Sequence, residues 1–335
     1  MSRRSRCRGI NSAQAGAFVV AAWLAMSLAA RAFALDFTAA HINPPGEPTY
    51  EAFEHMKRLL EAGDSGVRLR VFPRGQLGDE KDMIEQVRLG AIGMASVSAA
   101  ALSSFAPSVG VLDIPFLLRD QDRHPWLVSD GPVGRRLARE VERDSGLTVL
   151  GWWSAGMRHV FTRRTQVRSA ADLTGLKIRV IGSAVYIDTF NAMGAKSTPM
   201  PYGEVYTALA TGTVDGAEND TTGYRNMKFY EQAPQLSLTG HFFLFKVVIA
   251  NRDALKRLSA AQRDAFDRAL AEATQLQREL SVRNTRNDLE WFATQPGITV
   301  TTPDRAALEA SVIPVQERYA KRFGRELVEA IRAAR

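Results

Sequence analysis

An α/β fold of two lobes bridged by one long helix is what this sequence predicts, and three observations carry the prediction. Short apolar runs of strand period alternate with stretches of helical period along most of the chain, the rhythm of a parallel sheet covered by helices. From Ser259 to Phe292 the pattern changes to a sustained helix with Phe266, Leu270, Ala273, Leu276, Leu280, Leu289 and Phe292 on its apolar face. A helix of about 33 residues spans roughly 50 Å at 1.5 Å per residue, longer than one lobe. Finally, no low-complexity linker and no internal repeat divides the 335 residues, so two lobes require a chain that crosses between them more than once.

The elements follow in order. Asp36–Ile42 reads as a first strand. Pro48 opens a helix carrying Tyr50, Phe53, Met56, Leu59 and Leu60, and Gly63 stops it. Val67, Leu69 and Val71 alternate with polar residues in a strand over 67–72, and Pro73 and Gly75 mark a turn. A second helix starts near Asp79, presents Met83, Ile84 and Val87, and ends at Gly90; a small apolar strand over 91–97 follows. Val109–Phe116 is apolar, and Gly134–Ser145 is an amphipathic helix. Leu147–Trp153 and Arg158–Arg163 read as two strands, and Leu176–Ile181 as another. Helices are expected over Val185–Met193, Gly203–Ala210 and 221–231, with a short strand Val214–Glu218 between the last two. Phe242–Ala250 is a long apolar strand. After the long helix, Gln295-Pro296-Gly297 breaks the pattern, and a strand over 298–302 and helices complete the chain.

The first 34 residues have the pattern of an export signal: Arg3, Arg4, Arg6 and Arg8, an apolar core from Ala17 to Leu28, and Ala32-Phe33-Ala34 as a small-x-small cleavage site. The apolar run is too short for a convincing membrane span, an uncleaved anchor being the alternative. The Arg3-Arg4 pair raises a twin-arginine route without downstream support. The 43 basic residues less the five arginines of this segment leave 38 against 36 acidic, a net charge of +2, which gives no case for nucleic-acid binding. The single cysteine, Cys7, precedes the apolar core, so the mature chain has neither disulfide nor thiol chemistry. Export without disulfides suits a bacterial periplasm.

Enzyme motifs are missing: no P-loop, GxGxxG, GxSxG or HExxH occurs, and His41, His55, His124, His159 and His241 lack metal-ligand spacing. No cofactor is indicated. Asp215, Glu218 and Asp220 form a carboxylate cluster; acid/base work is one reading and helix capping the commoner one.

Arg179 is the sharper candidate. Leu176, Ile178 and Val180 share one strand face, so Arg179 points the other way, inside an α/β unit whose two faces are usually covered. It lies near the strand's carboxyl end, where ligand crevices of such sheets form, and Gly182-Ser183 then begin a helix whose free N–H groups favour an anion. Its planar fork takes a carboxylate through two hydrogen bonds. The bland alternative is a solvated arginine. Arg158 at a strand start, Asn219 at a strand end and Glu80 in a first helical turn are weaker candidates; a surface charge, an Asx-turn and a dipole-favoured acid explain them equally well. Trp152, Trp153, Tyr202 and Tyr224 are core aromatics by default.

These segments resemble the solute-binding proteins of tripartite ATP-independent periplasmic (TRAP) transporters. The likeness is carried by Gly75-Gln76-Leu77-Gly78-Asp79-Glu80, by Leu176-Lys177-Ile178-Arg179-Val180, by Thr198-Pro199-Met200-Pro201-Tyr202-Gly203-Glu204-Val205-Tyr206-Thr207-Ala208-Leu209, by Val214-Asp215-Gly216-Ala217-Glu218-Asn219 and by Lys228-Phe229-Tyr230-Glu231, in order and across the whole mature chain. The resemblance implies a periplasmic binding protein fold: lobe I from 35–155 plus 244–283, lobe II from 156–243 plus 284–335 with the C-terminal helices, and a cleft closing on one organic acid. It implies that Arg179 grips the ligand carboxylate, with Arg158 as second basic contact and Asn219 as polar partner. Glu80, Ser98, Tyr202 and His41 then fall in regions that vary with ligand. Many relatives have proline after the asparagine; here it is Asp220, and an acid at that point disfavours a second ligand carboxylate and favours hydroxyl groups. The expected function is capture of a small organic acid, a sugar acid such as a uronate first and a C4-dicarboxylate or keto acid next, for delivery to TRAP permease subunits. A ligand-sensing protein and a periplasmic lyase or hydrolase are the rivals.

Overall fold

The structure, a computed structural model, describes residues 35–335; the expected export segment, 1–34, lies outside the described residues. Nine strands form one mixed sheet: β1 (Leu35–His41), β2 (Val67–Phe72), β3 (Met94–Ser98), β4 (Leu147–Thr162), β5 (Lys177–Val180), β6 (Lys196–Pro199), β7 (Gly216–Asn219), β8 (Gln235–Asn251) and β9 (Thr299–Thr301). Their order is β2-β1-β3-β8-β4-β7-β5-β6, with β9 beside β8. β1, β2 and β3 are parallel, as are β5, β6 and β7, matching the alternating rhythm.

The parallel arrangement does not extend to the centre of the sheet. β4 and β8 run antiparallel to each other over nearly their whole length and belong to both halves of the sheet. The two strands expected over 147–153 and 158–163 are one strand of 16 residues. A register shift between Ser154 and Met157 interrupts it, and Gly156, at φ 74°, supplies a backbone conformation that side-chain-bearing residues avoid. β8 is likewise longer than its apolar part, at 17 residues.

The long helix runs Ala260–Thr294, 35 residues, opened by a capping box between Ser259 and Gln262. Phe266, Leu270 and Ala273 pack in the core of the first half, beneath the helix Pro48–Ala62. Phe292, at the other end, packs with Phe161, Tyr224 and Phe229 in the core of the second half. Between them Gln277 holds the backbone of Ser154 at the β4 irregularity, accepting from its N–H at 2.9 Å and donating to its carbonyl at 2.6 Å. The helix therefore bridges the halves. The last two helices, Arg305–Phe323 and Arg325–Ala333, touch both: Tyr319 Oη donates to Asp188 at 2.7 Å in one half, and His124 Nε2 lies 2.8 Å from the Ile331 carbonyl in the other.

Candidate functional site

A cavity of about 860 Å³ opens between the two halves, room enough for a small organic molecule with its waters. The ends of the parallel strands and the loops that follow them supply most of its walls: Asn43 and Glu47 after β1, Glu80 at the start of the helix after β2, Ser98 at the end of β3, Arg179 on β5, Tyr202 beyond β6, and Asn219 and Asp220 at the end of β7; Arg158 and Lys246 project from within the antiparallel strands β4 and β8. This is the crevice beyond the carboxyl ends of parallel strands.

Arg179 is buried, 3% exposed, yet it lines the cavity. Nε and Nη2 both donate to the carbonyl of Met200, at 3.1 and 2.8 Å, which fixes the plane of the guanidinium. The ring of Tyr202 lies 5.9 Å from the guanidinium carbon. Among the described residues no carboxylate is within ion-pair distance and Nη1 has no hydrogen-bond partner. Burial lowers its pKa, the more distant Glu218 only partly opposing. A buried charge without a partner costs several kcal/mol, and this one faces the cavity.

Arg158 is equally buried but already neutralised. Nε meets Glu218 Oε2 at 2.6 Å, Nη2 the Glu218 carbonyl at 2.9 Å, and Nη1 is shared between Asn219 Oδ1 and Asp220 Oδ1. Burial alone would depress its pKa; the Glu218 carboxylate more than offsets this and raises it. Asn219 is held at both ends, since its Nδ2 donates to Tyr202 Oη at 2.9 Å. Gly223 leaves room for this arrangement: a Cβ there would meet Asn219 Nδ2 at 2.4 Å and Tyr202 Oη at 2.9 Å. Arg158 thus positions Asn219 and Asp220 while contributing one edge of the cavity.

The opposite wall holds a second ion pair. Glu80 takes Lys246 Nζ at 2.6 Å and the Ser98 N–H at 2.9 Å on Oε1, and Ser98 Oγ on Oε2. Burial pushes the Glu80 carboxyl up, but Lys246 and the two Ser98 bonds win and hold it below the usual range.

Of the eight residues expected to contact a ligand, seven line the cavity; His41 does not. Its ring is fully buried, stacked on Phe53 at 5.2 Å, and Nδ1 accepts the Asn43 N–H at 3.2 Å. Burial, then Lys246, lowers its pKa to about 3, so it is a neutral core residue beneath the site, and its neighbours Ile42 and Asn43 face the cavity. Three site residues escaped sequence reasoning. Lys246 carried the signal that exposed Arg179, a lone cation in an apolar strand; Asn43 and Glu47 carry no pattern that marks them in the sequence. The Asp215, Glu218 and Asp220 carboxylates each have partners of their own: Asp215 accepts from Lys177 N–H at 2.8 Å, Glu218 pairs with Arg158, and Asp220 accepts from Gly223 N–H at 3.2 Å.

Two α/β halves joined by crossing strands and a bridging helix, with a charge-lined cavity between them, define a clamshell solute-binding protein. Residues 39–322 match the family model described as bacterial extracellular solute-binding protein, family 7, and the chain belongs to that family of transport proteins. A crystal structure of a TRAP periplasmic solute-binding protein from Polaromonas sp. JS666 bound to D-erythronate superimposes with a TM-score of 0.85 at 31% identity, over 90% of this chain and 99% of that one. One from Pseudomonas putida F1 with bound D-glucuronate gives 0.84 at 32% identity, over 89% and 97%. The 2,3-diketo-L-gulonate-binding periplasmic protein of Escherichia coli (strain K12) is 32% identical over 316 residues, 93% of this chain and 94% of that one.

Proposed function

We propose that this protein is a periplasmic receptor that captures a small hydroxylated monocarboxylate, a sugar acid such as a uronate, and delivers it to the membrane subunits of a TRAP transporter. The observation that carries the reading is Arg179: a buried guanidinium whose plane is fixed, whose Nη1 is free among the described residues and which has no carboxylate partner. The ligand carboxylate completes it. Two acids on the remaining walls, Glu80 and Asp220, accept hydrogen bonds from hydroxyl groups and disfavour a second carboxylate. Acid ligands in similar structures support the class.

The halves act as lobes, 35–155 with 244–283 against 156–243 with 284–335, the last helices reaching across. The coincidence of the β4 irregularity at Ser154–Met157 with the break between these segments supports a hinge there. Residues 1–34 serve as the export signal.

The test is calorimetric titration of the purified protein with D-glucuronate, D-erythronate, 2,3-diketo-L-gulonate and succinate. Binding of a hydroxy monocarboxylate in preference to succinate is expected, and Arg179→Ala removes about 2–5 kcal/mol of it. Retention of wild-type affinity by Arg179→Ala refutes the assignment, and preference for succinate replaces the sugar-acid reading with a dicarboxylate one.

A further inference from the structure

The cavity wall that holds Asn219 and Asp220 continues into a short helix, Thr221–Asn226. Both ends of this segment line the cavity, Asn219 and Asp220 before the helix, Asn226, Met227 and Lys228 at its far end. A helix of fewer than two turns does not hold its own shape in water, so its place is set by what fastens it. Tyr224 fastens one face, packed on Phe161 and Phe292 with its Oη donating to the Ala233 carbonyl at 2.8 Å.

The other face is held by a charge. Asp288, on the bridging helix, is buried and does not line the cavity. Its Oδ2 accepts from Thr222 Oγ1 at 2.7 Å and its Oδ1 from Arg225 Nη1 at 2.9 Å. Thr222 and Arg225 are three residues apart and so share a helix face, and one carboxylate takes both. The Arg225 guanidinium also lies over Trp291, its carbon 4.4 Å from the ring centre, one turn further along the bridging helix. The chain of contacts then runs on to the site. Asp220 accepts the Gly223 N–H at 3.2 Å, beside Thr222, and Arg158 Nη1 is shared between Asn219 and Asp220. About three turns earlier on the same bridging helix, Gln277 grips the backbone of Ser154 on the crossing strand β4. One rigid element therefore sets the ligand wall against the crossing strand, and groups that bind a ligand need such support to within about 0.5 Å.

We propose that Asp288 is a positioning residue for ligand capture: from the bridging helix it fixes the Thr221–Asn226 wall so that Asn219 and Asp220 meet the bound acid. The inference rests on the organic-acid reading above and adds to it a residue that never touches the ligand.

Three measurements test it, with D-glucuronate as the probe. In calorimetric titration Asp288→Asn, a neutral side chain of the same shape, binds roughly tenfold more weakly than wild type, the scale of a lost charge-assisted hydrogen bond. The sign is informative, because removing a negative charge strengthens the binding of an anion through the field alone. In an Asn219→Ala background the same substitution costs at most about twofold, since residues that act through one group are not additive. A residue that merely holds the fold together costs the same in both backgrounds. In the ligand-free protein the backbone amide resonances of Asn219 and Asp220 move in Asp288→Asn, while those of Asn43 and Ser98 on the other walls stay in place; this readout stands even if Asn219→Ala does not fold. Wild-type affinity in Asp288→Asn, an equal loss in both backgrounds, or unmoved Asn219 and Asp220 resonances overturns the proposal. If neither D-glucuronate nor D-erythronate binds the wild-type protein, the organic-acid reading falls and this one with it; that result is recognisable because affinity is absent before any substitution.

Discussion

Arg179 and Arg158 line one cavity and are equally buried, yet replacing each with methionine has different consequences for the empty protein. Arg158→Met leaves Glu218 buried with no cation, and breaking such a pair costs about 3–5 kcal/mol. Arg179→Met strands no carboxylate. It removes a desolvated cation, a gain of about 1–4 kcal/mol by analogy with apolar replacement of buried charges. Against this stands the Met200 carbonyl, which loses both donors at a cost of about 1–3 kcal/mol. The two nearly cancel, so Arg179→Met is as stable as wild type to within about 2 kcal/mol and at least 1 kcal/mol more stable than Arg158→Met. Binding behaves differently: Arg179→Met forfeits about 2–5 kcal/mol of affinity for the ligand carboxylate. Thermal unfolding with and without 10 mM D-glucuronate reads both quantities, because a ligand of the folded state raises its apparent stability. The ligand-free melting temperature of Arg179→Met lies near that of wild type, about 2–4 °C per kcal/mol setting the scale, and D-glucuronate no longer shifts it. The reasoning is refuted if Arg179→Met unfolds below Arg158→Met, or if it keeps the ligand-induced shift.

Three further outcomes follow from the same geometry. Lys246→Met strands Glu80, and urea unfolding shows a loss of about 3–5 kcal/mol at pH 7. Because the native Glu80 pKa is depressed, its stabilisation exists above the ordinary carboxyl value and fades as pH falls through the native one; the difference between variant and wild type therefore shrinks toward pH 3. Gly223→Ala drives a Cβ into Asn219 and Tyr202, costing about 1–3 kcal/mol in denaturant unfolding. His41 stays neutral in the fold down to about pH 3 but protonates in the unfolded chain near 6.5, so it withdraws stability as pH falls between those values, at up to about 1.4 kcal/mol per pH unit; His41→Gln makes the acid limb of stability against pH shallower.

Much of this fold is readable from periodicity because the outer strands and their helices obey local rules. The helix ending at Gly63, the long helix with its Ser259 cap and the strands β1, β2 and β5 announce themselves within a few residues; the edge strand β6, short, polar and ending in a proline, does not. The central strands do not. β4 loses its alternation at Ser154–Met157, and β8 begins in the polar stretch from Gln235, so both read as shorter pieces; only their mutual pairing makes them continuous. The site divides in the same way. Arg179 is legible because a lone arginine in an apolar strand demands an explanation, and Lys246 posed the same question without being asked it. Glu47 was hidden because an acid before a helix already has an ordinary role; in the structure it makes no cap hydrogen bond and lines the cavity. His41 shows the converse, a polar residue beside the site whose stacking on Phe53 belongs to the core.

The two central strands also set the order of events during synthesis. β4 pairs with β7 on one side, but its long partner on the other, β8, begins only at residue 235, when every other strand of both halves except β9 has been made. Neither half closes early, since β3 waits for β8 on one side and the long helix that seals both cores comes later still. Contacts this distant in sequence form slowly. A nascent chain built this way has neither core sealed until its last third is translated, and a fragment ending before β8 lacks the strand that joins the two halves.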